Sequence, residues 1–261
     1  MYPDYVTSIA GLGVGIVVGL TGVGGGALMT PLLLLVFGVA PQTAVGTDLI
    51  FAAITKTVGA FSHNRRGMVD WTIVRRLLWG SIPASIATLL LLQTNTVSKV
   101  EDKLIIGALG VALVVTSFAT LFKAALHDLG RKLRIRTPAA FKRMQPTLTV
   151  VAGALLGTMV TLTSIGAGAL GAVMLTYLYP LRLTPAKLVG TDIAHAIPLA
   201  VVAGAGYFFM GSIDFALLGW LLLGSLPGVL IGTYFGSVVP DRLLRTMIAV
   251  VLMFVGVRLL S

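Results

Sequence analysis

The sequence predicts an all-α polytopic membrane protein made of two homologous four-segment repeats, each beginning with a glycine-broken hairpin. Three observations carry this prediction. First, 57% of the 261 residues are hydrophobic and 11% are charged, with a mean hydropathy of +0.99, whereas soluble domains carry about 25% charged residues. Second, a shift of 144 residues aligns 6–83 with 150–227 without a gap, and 21 of those 78 positions are identical. Third, the basic residues fall unevenly between the loops. The composition excludes a soluble globular enzyme, a disordered chain and a small disulfide scaffold. The absence of cysteine removes disulfides, thiolate metal sites and a cysteine nucleophile. The formal charge of +10 is an orientation signal, not a nucleic-acid signal. Lys and Arg gather in cytoplasmic loops and face anionic lipid, and no basic patch interleaved with aromatics marks a soluble binding module.

Apolar stretches run over 5–20, 27–37, 43–61, 72–92, 104–122, 147–163, 169–181, 186–209, 215–235 and 243–260. The first reads as a membrane segment and not as a removed leader, because Met1-Tyr2-Pro3-Asp4 has no basic character and no cleavage site follows. The stretch 123–146 holds Lys123, Arg131, Lys132, Arg134, Arg136, Lys142 and Arg143. It divides the chain into a first membrane repeat (1–122), a basic linker (123–146) and a second membrane repeat (147–261). The matched positions include Gly22 with Gly166, Gly24 with Gly168, Pro41 with Pro185, and Gly67 with Gly211. They also include Asp70 with Asp214 and Gly80-Ser81 plus Pro83 with Gly224-Ser225 plus Pro227. The longest match is Val45-Gly46-Thr47-Asp48 against Val189-Gly190-Thr191-Asp192. Chance similarity between greasy sequences pairs Leu with Val; it rarely pairs Gly-Thr-Asp.

Residues 5–37 are too long for one ordinary span of about 20 residues, and Gly22-Val23-Gly24-Gly25-Gly26 interrupts them. A single long broken helix gives four crossings per half and parallel repeats. A hairpin with its tip in the membrane gives three net crossings and inverted repeats. Parallel repeats split the loop Lys and Arg residues twelve to six, and inverted repeats split them fifteen to three. The positive-inside rule therefore favours inverted repeats, with both termini outside and the linker 123–146 cytoplasmic.

The chemistry lies at the breaks. Segments starting near Ala27 and Ala169 follow Gly22-Val23-Gly24-Gly25-Gly26 and Thr163-Ser164-Ile165-Gly166-Ala167-Gly168. Half-helices there would present free backbone N–H groups and the positive end of a dipole at membrane depth. That is an anion site, to which Thr21, Thr163 and Ser164 add hydroxyls. The bland alternative is close helix packing by small residues. Asp48 and Asp192 are intramembrane carboxylates. They either bind a coupling cation, relay a proton, organise the site with Thr47 and Thr191, or cap a helix. Lys56 follows Asp48 by two turns and either lies beside the anion or snorkels to an interface. His195 follows Asp192 by three residues and either titrates during transport or is a hydrogen-bonded helix contact. Asp70 and Asp214 suit helix N-caps. A nucleotide-binding reading of Gly22–Gly26 fails because no Lys-Ser/Thr follows.

These residues resemble the TauE/SafE family of sulfite exporters, also called the sulfonate uptake permease family. The likeness is carried by Gly19-Leu20-Thr21-Gly22-Val23-Gly24-Gly25-Gly26, Pro31, and Pro41 with Ala44-Val45-Gly46-Thr47-Asp48. In the second half it is carried by Ile165-Gly166-Ala167-Gly168, Pro185 to Asp192, and Gly224 to Gly228 with Gly232. The resemblance implies a secondary transporter, in the cytoplasmic (inner) membrane, of a small sulfur-containing anion such as sulfite, thiosulfate, an organosulfonate or a related organic acid. No cofactor is expected, and since no nucleotide-binding motif is present the energy would come from a proton or cation gradient or from the substrate's own gradient. An anion channel is the alternative, and an intramembrane enzyme a more remote one, since the three histidines form no metal-ligand motif. Two departures stand out: Gly166-Ala167-Gly168-Ala169 is poorer in glycine than the first break, and His195 stands where the first half has Phe51.

Overall fold

The computed structural model describes residues 4–21, 26–64, 68–94, 98–136, 138–235 and 241–260. Among them every regular element is an α-helix. In chain order these are α1 (Asp4–Thr21), α2 (Gly26–Leu35), α3 (Pro41–Asn64), α4 (Trp71–Thr94), α5 (Ser98–Leu121) and α6 (Lys123–Arg136). Then come α7 (Pro138–Thr163), α8 (Ala169–Leu178), α9 (Pro185–Phe209), α10 (Phe215–Phe235) and α11 (Asp241–Leu260). Five stretches are long and apolar enough to cross a membrane: Trp71–Thr94, Lys103–Leu121, Lys142–Thr163, Pro185–Phe209 and Phe215–Phe235. Their outer faces carry large apolar side chains such as Trp79, Phe209 and Tyr234, all exposed. This is a multi-pass membrane protein.

Lipid removes the usual hydrophobic drive between helices, so close backbone approach through small residues must hold the bundle together. Two glycine seams do this. Along α1, Gly11, Gly15 and Gly19 lie against the backbone of Leu221, Ser225 and Val229 in α10. Along α7, Gly153 and Gly157 lie against Leu77 and Ser81 in α4. At each of these glycines a Cβ would overlap a backbone carbonyl oxygen. The rising numbers on both sides make α1 parallel to α10 and α4 parallel to α7. The central pair runs the other way: Gly46 of α3 meets Tyr207 of α9, and Ile50 meets Gly204. The same is true of α5 and α11, where Gly110 meets Gly256, and the Ser117 hydroxyl donates to the Ala249 carbonyl at 2.7 Å.

Apolar clusters fill the spaces between these pairs. Val14, Val18, Met29, Leu33, Phe51 and Leu221 join α1, α2, α3 and α10. Ile73, Leu77, Leu156, Leu170, Leu175 and Tyr179 join α4, α7 and α8. The described residues of the segment 123–146, expected as a basic linker, are helical: 123–136 form α6 and 138–146 the start of α7. At Gly130, α6 packs so closely on the Tyr177 carbonyl of α8 that no side chain would fit. The Asp70 and Asp214 carboxylates cap the next helices as expected, accepting from Ile73 N–H at 3.4 Å and Leu217 N–H at 2.9 Å.

Candidate functional site

The second break is a built structure. Ser164 closes α7 in the left-handed region at φ 58°, and Gly166 and Gly168 follow at φ 118° and 133°. The last two values favour glycine, which has no Cβ to clash. Within the break, the Thr163 hydroxyl accepts from Ile165 N–H at 3.1 Å. Gly168 is the N-cap of α8 and offers no side-chain bond. The amides of Gly171 and Ala172 go to the carbonyls of Gly166 and Gly168 at 3.0 and 3.1 Å, so the first turn of α8 ahead of them is uncapped. The register Ser81–Gly157 puts Thr163 level with residue 87 of α4, which continues to Thr94. The break therefore lies about seven residues, or ~10 Å, short of the end of α4. Of the first break, Thr21 ends α1 and Gly26 opens α2; Gly22, Val23, Gly24 and Gly25 lie outside the described residues.

The charged groups converge on this break. Lys56 is 7% exposed and donates from Nζ to the Ala167 carbonyl at 2.8 Å. It does not snorkel. It lies within electrostatic reach of Asp48, Asp192 and His195. The Asp48 carboxylate accepts from the Thr30 hydroxyl of α2 at 2.5 Å and neighbours the Ser164 hydroxyl. The Asp192 carboxylate presses on Gly171 of α8, where a Cβ would overlap it. Helix capping by these two residues is corrected: α3 begins at Pro41 and α9 at Pro185, so Asp48 and Asp192 lie two turns inside their helices. Thr184 caps α9, accepting from Lys187 N–H at 3.3 Å. His195 is fully buried and shares a 2.9 Å hydrogen bond with Ser81 through Nε2. Phe51, its counterpart, belongs to the apolar cluster around Leu221. Four polar atoms here are buried without a hydrogen-bond partner among the described residues: Asp48 Oδ1, Ser164 Oγ, Asp192 Oδ1 and His195 Nδ1. Such atoms are costly unless something polar visits them.

Thr47 and Thr191 do not enter this cluster. Each tethers the turn that belongs to the other half: the Thr47 hydroxyl accepts from Asp214 N–H at 3.1 Å, and the Thr191 hydroxyl from Asp70 N–H at 3.0 Å. The second tether is reinforced by an ion pair, Arg182 to both carboxylate oxygens of Asp70 at 2.7 and 2.9 Å. Two site neighbours escaped the sequence reading. Ser81 had a signal, the repeated Gly-Ser pair ahead of proline. Thr30 had only its isolation as the one hydroxyl of α2.

The comparisons with known proteins agree with one another. The family model described as "Sulfite exporter TauE/SafE" matches residues 7–259. The chain is 40% identical over 257 residues to "Probable membrane transporter protein YjnA" of Bacillus subtilis (strain 168), covering 97% of this chain and 98% of that protein. It is 28% identical over 246 residues to "Probable membrane transporter protein YdhB" of the same organism, covering 94% and 96%. No solved structure matches the chain.

Proposed function

We propose that this chain, which belongs to the sulfite exporter TauE/SafE family, is a secondary transporter of a small sulfur-containing anion: sulfite, thiosulfate, an organosulfonate or a related organic acid. It is a membrane transporter and not an enzyme. The observation that carries the substrate reading is the ammonium of Lys56, buried in α3 and hydrogen-bonded to Ala167 beside the uncapped start of α8. A half-helix N-terminus at membrane depth favours negative charge, and the Lys56 ammonium, which also faces Asp48 and Asp192, adds positive charge beside it. Asp48 and Asp192 organise the two half-helices or carry the coupling proton or cation.

Access alternates by rocking two inverted repeats, in a cytoplasmic (inner) membrane with the linker 123–146 on the cytoplasmic side. The helix directions support inversion. Hairpins at α1–α2 and α7–α8, followed by three crossings each, require α1 parallel to α10, α4 parallel to α7, and α3 and α5 antiparallel to α9 and α11. All four relations hold; parallel repeats would make α3 and α9 run together. Packing also sharpens the alignment. Gly11 and Gly15 stand on Leu221 and Ser225 as Gly153 and Gly157 stand on Leu77 and Ser81, an offset of 142. At that offset 12 of the 27 positions in 7–33 are identical, against five at 144. Thr21 then pairs with Thr163, Gly22 with Ser164, Gly24 with Gly166 and Gly26 with Gly168, and two extra residues fall in the loop before α9.

The test is thermal stabilisation of the purified protein by sulfite, thiosulfate, sulfate, taurine, sulfoacetate and acetate. At least one sulfur anion should raise Tm in a saturable way. No shift with any anion would remove the anion site.

A further inference from the structure

We infer that α6 and the start of α7 form a docking face for the phosphate headgroups of anionic lipid, and that lipid seated there braces the second half-helix, α8. The inference does not depend on which solute is carried.

The position of α6 follows from its neighbours. The span Lys103–Leu121 ends just before it, and the span Lys142–Thr163 opens shortly after it. Its junction with α5 keeps helical bonding: Phe122 N–H donates to the Phe118 carbonyl at 2.9 Å, and Leu126 N–H to the Phe122 carbonyl at 3.0 Å. Halfway along α6, Gly130 lies against the Tyr177 carbonyl. The next residue of α8, Leu178, accepts through its carbonyl from the Gln145 side-chain amide, in the first turn of the following span. The middle of α6 is therefore still level with a span end, where lipid headgroups lie. Because α6 and α8 meet there backbone to backbone, whatever holds α6 also holds the end of α8. α6 is the one helix outside the two proposed repeats, and α2 has no such cover. Leu35, which pairs with Tyr177 at the packing offset, is exposed among the described residues.

The chemistry of the face names its partner. Arg131 and Lys132 on α6, and Lys142 and Arg143 on α7, are exposed. Set among them are large apolar side chains that are also exposed: Phe122, Leu129 and Met144. A surface that meets only water has no use for those three. At a membrane interface they enter the acyl boundary while the basic side chains reach the phosphates. The segment 123–146 holds seven Lys and Arg residues and a single acid, Asp128. Its charge is thus complementary to an anionic leaflet, which attracts each Lys or Arg near its surface. Lys123 stands apart from this face and acts on Asp192.

The experiment places the full-length protein in nanodiscs of phosphatidylcholine, alone or mixed with phosphatidylglycerol. Phosphatidylglycerol should raise Tm by about 2 °C or more. It should also slow amide hydrogen exchange severalfold in 169–178 and leave 26–35, the uncovered half-helix, unchanged. Raising the salt from about 0.1 M to about 1 M shortens the Debye length from about 10 Å to about 3 Å and should remove most of both effects. The fourfold variant Arg131→Gln, Lys132→Gln, Lys142→Gln, Arg143→Gln changes only exposed positions. It should keep its Tm in phosphatidylcholine and lose the response to phosphatidylglycerol. A full response in that variant, or one indifferent to salt, would overturn the docking face. Equal slowing of exchange in 26–35 and 169–178 would overturn the brace. If heparin, a soluble polyanion, reproduced the response in phosphatidylcholine alone, the face would belong to an acidic macromolecule and the lipid assignment would fall.

Discussion

Ser81 and Ser225 occupy matched positions, and both are fully buried. Ser81 bonds His195, whereas Ser225 Oγ has no partner among the described residues. Ser81→Ala should therefore strand a buried imidazole nitrogen and cost about 1–3 kcal/mol, while Ser225→Ala should be near neutral. Thermal unfolding in one detergent checks the pair; equal losses would mean that the His195 bond contributes nothing. At this scale the sequence was informative wherever a polar residue broke an apolar run. Asp48, Lys56, Asp192, His195 and Ser164 were all readable as exceptions to their surroundings, and they do converge. Their partners were not readable. That Lys56 meets Ala167, 111 positions away, depends on how α3 crosses the second hairpin, and no local pattern encodes that crossing. Asp48 looked like a cap because Gly-Thr precedes it, yet the helix starts a full two turns earlier at Pro41, where proline is favoured at the first helical position.

Among elements, the glycines of α1 divide into two kinds that sequence alone cannot separate. Gly15 sits against the backbone of Ser225, and Gly13 has nothing within 4 Å of a would-be Cβ. Gly13 instead lines a cavity of about 420 Å³ between α1, α2 and α11, bounded by apolar residues including Val17, Leu28, Leu35 and Val255. Gly15→Ala should push α1 off α10 and destabilise by about 1–3 kcal/mol, the usual cost of overpacking. Gly13→Ala should be neutral or stabilising by up to ~1 kcal/mol, the helix-propensity gain. Thermal unfolding of the two variants separates them, and a loss at Gly13 equal to that at Gly15 would refute the seam. The ten apolar stretches correspond to the ten helices other than α6, because each is long, continuous and bounded by Gly, Pro or charge. The helicity of 123–136 was not legible as such: its basic density dominated the reading and hid the Gly130 contact that docks it on α8.

For the whole molecule, the two ends of the bundle are held unequally. Thr47–Asp214 and Thr191–Asp70 are equivalent tethers, but among the described residues only the second carries an ion pair, since Arg182 stands where the first half has Gly38 at the 144-residue offset. An ion pair with a half-exposed Arg and a nearly buried Asp is worth little in energy yet fixes geometry through its two bonds. In the inverted arrangement proposed above, the α2–α3 loop and the α8–α9 loop face opposite sides of the membrane. The chain has no cysteine, so a single introduced thiol reports without background. Ala40 and Leu181 are both exposed in those loops. In sealed right-side-out vesicles, an impermeant maleimide should label Ala40→Cys at once and Leu181→Cys only after the vesicles are opened. Parallel repeats would put both loops on one side, so labelling of both thiols, or of neither, before opening would refute the inverted arrangement and with it the rocking mechanism built on it.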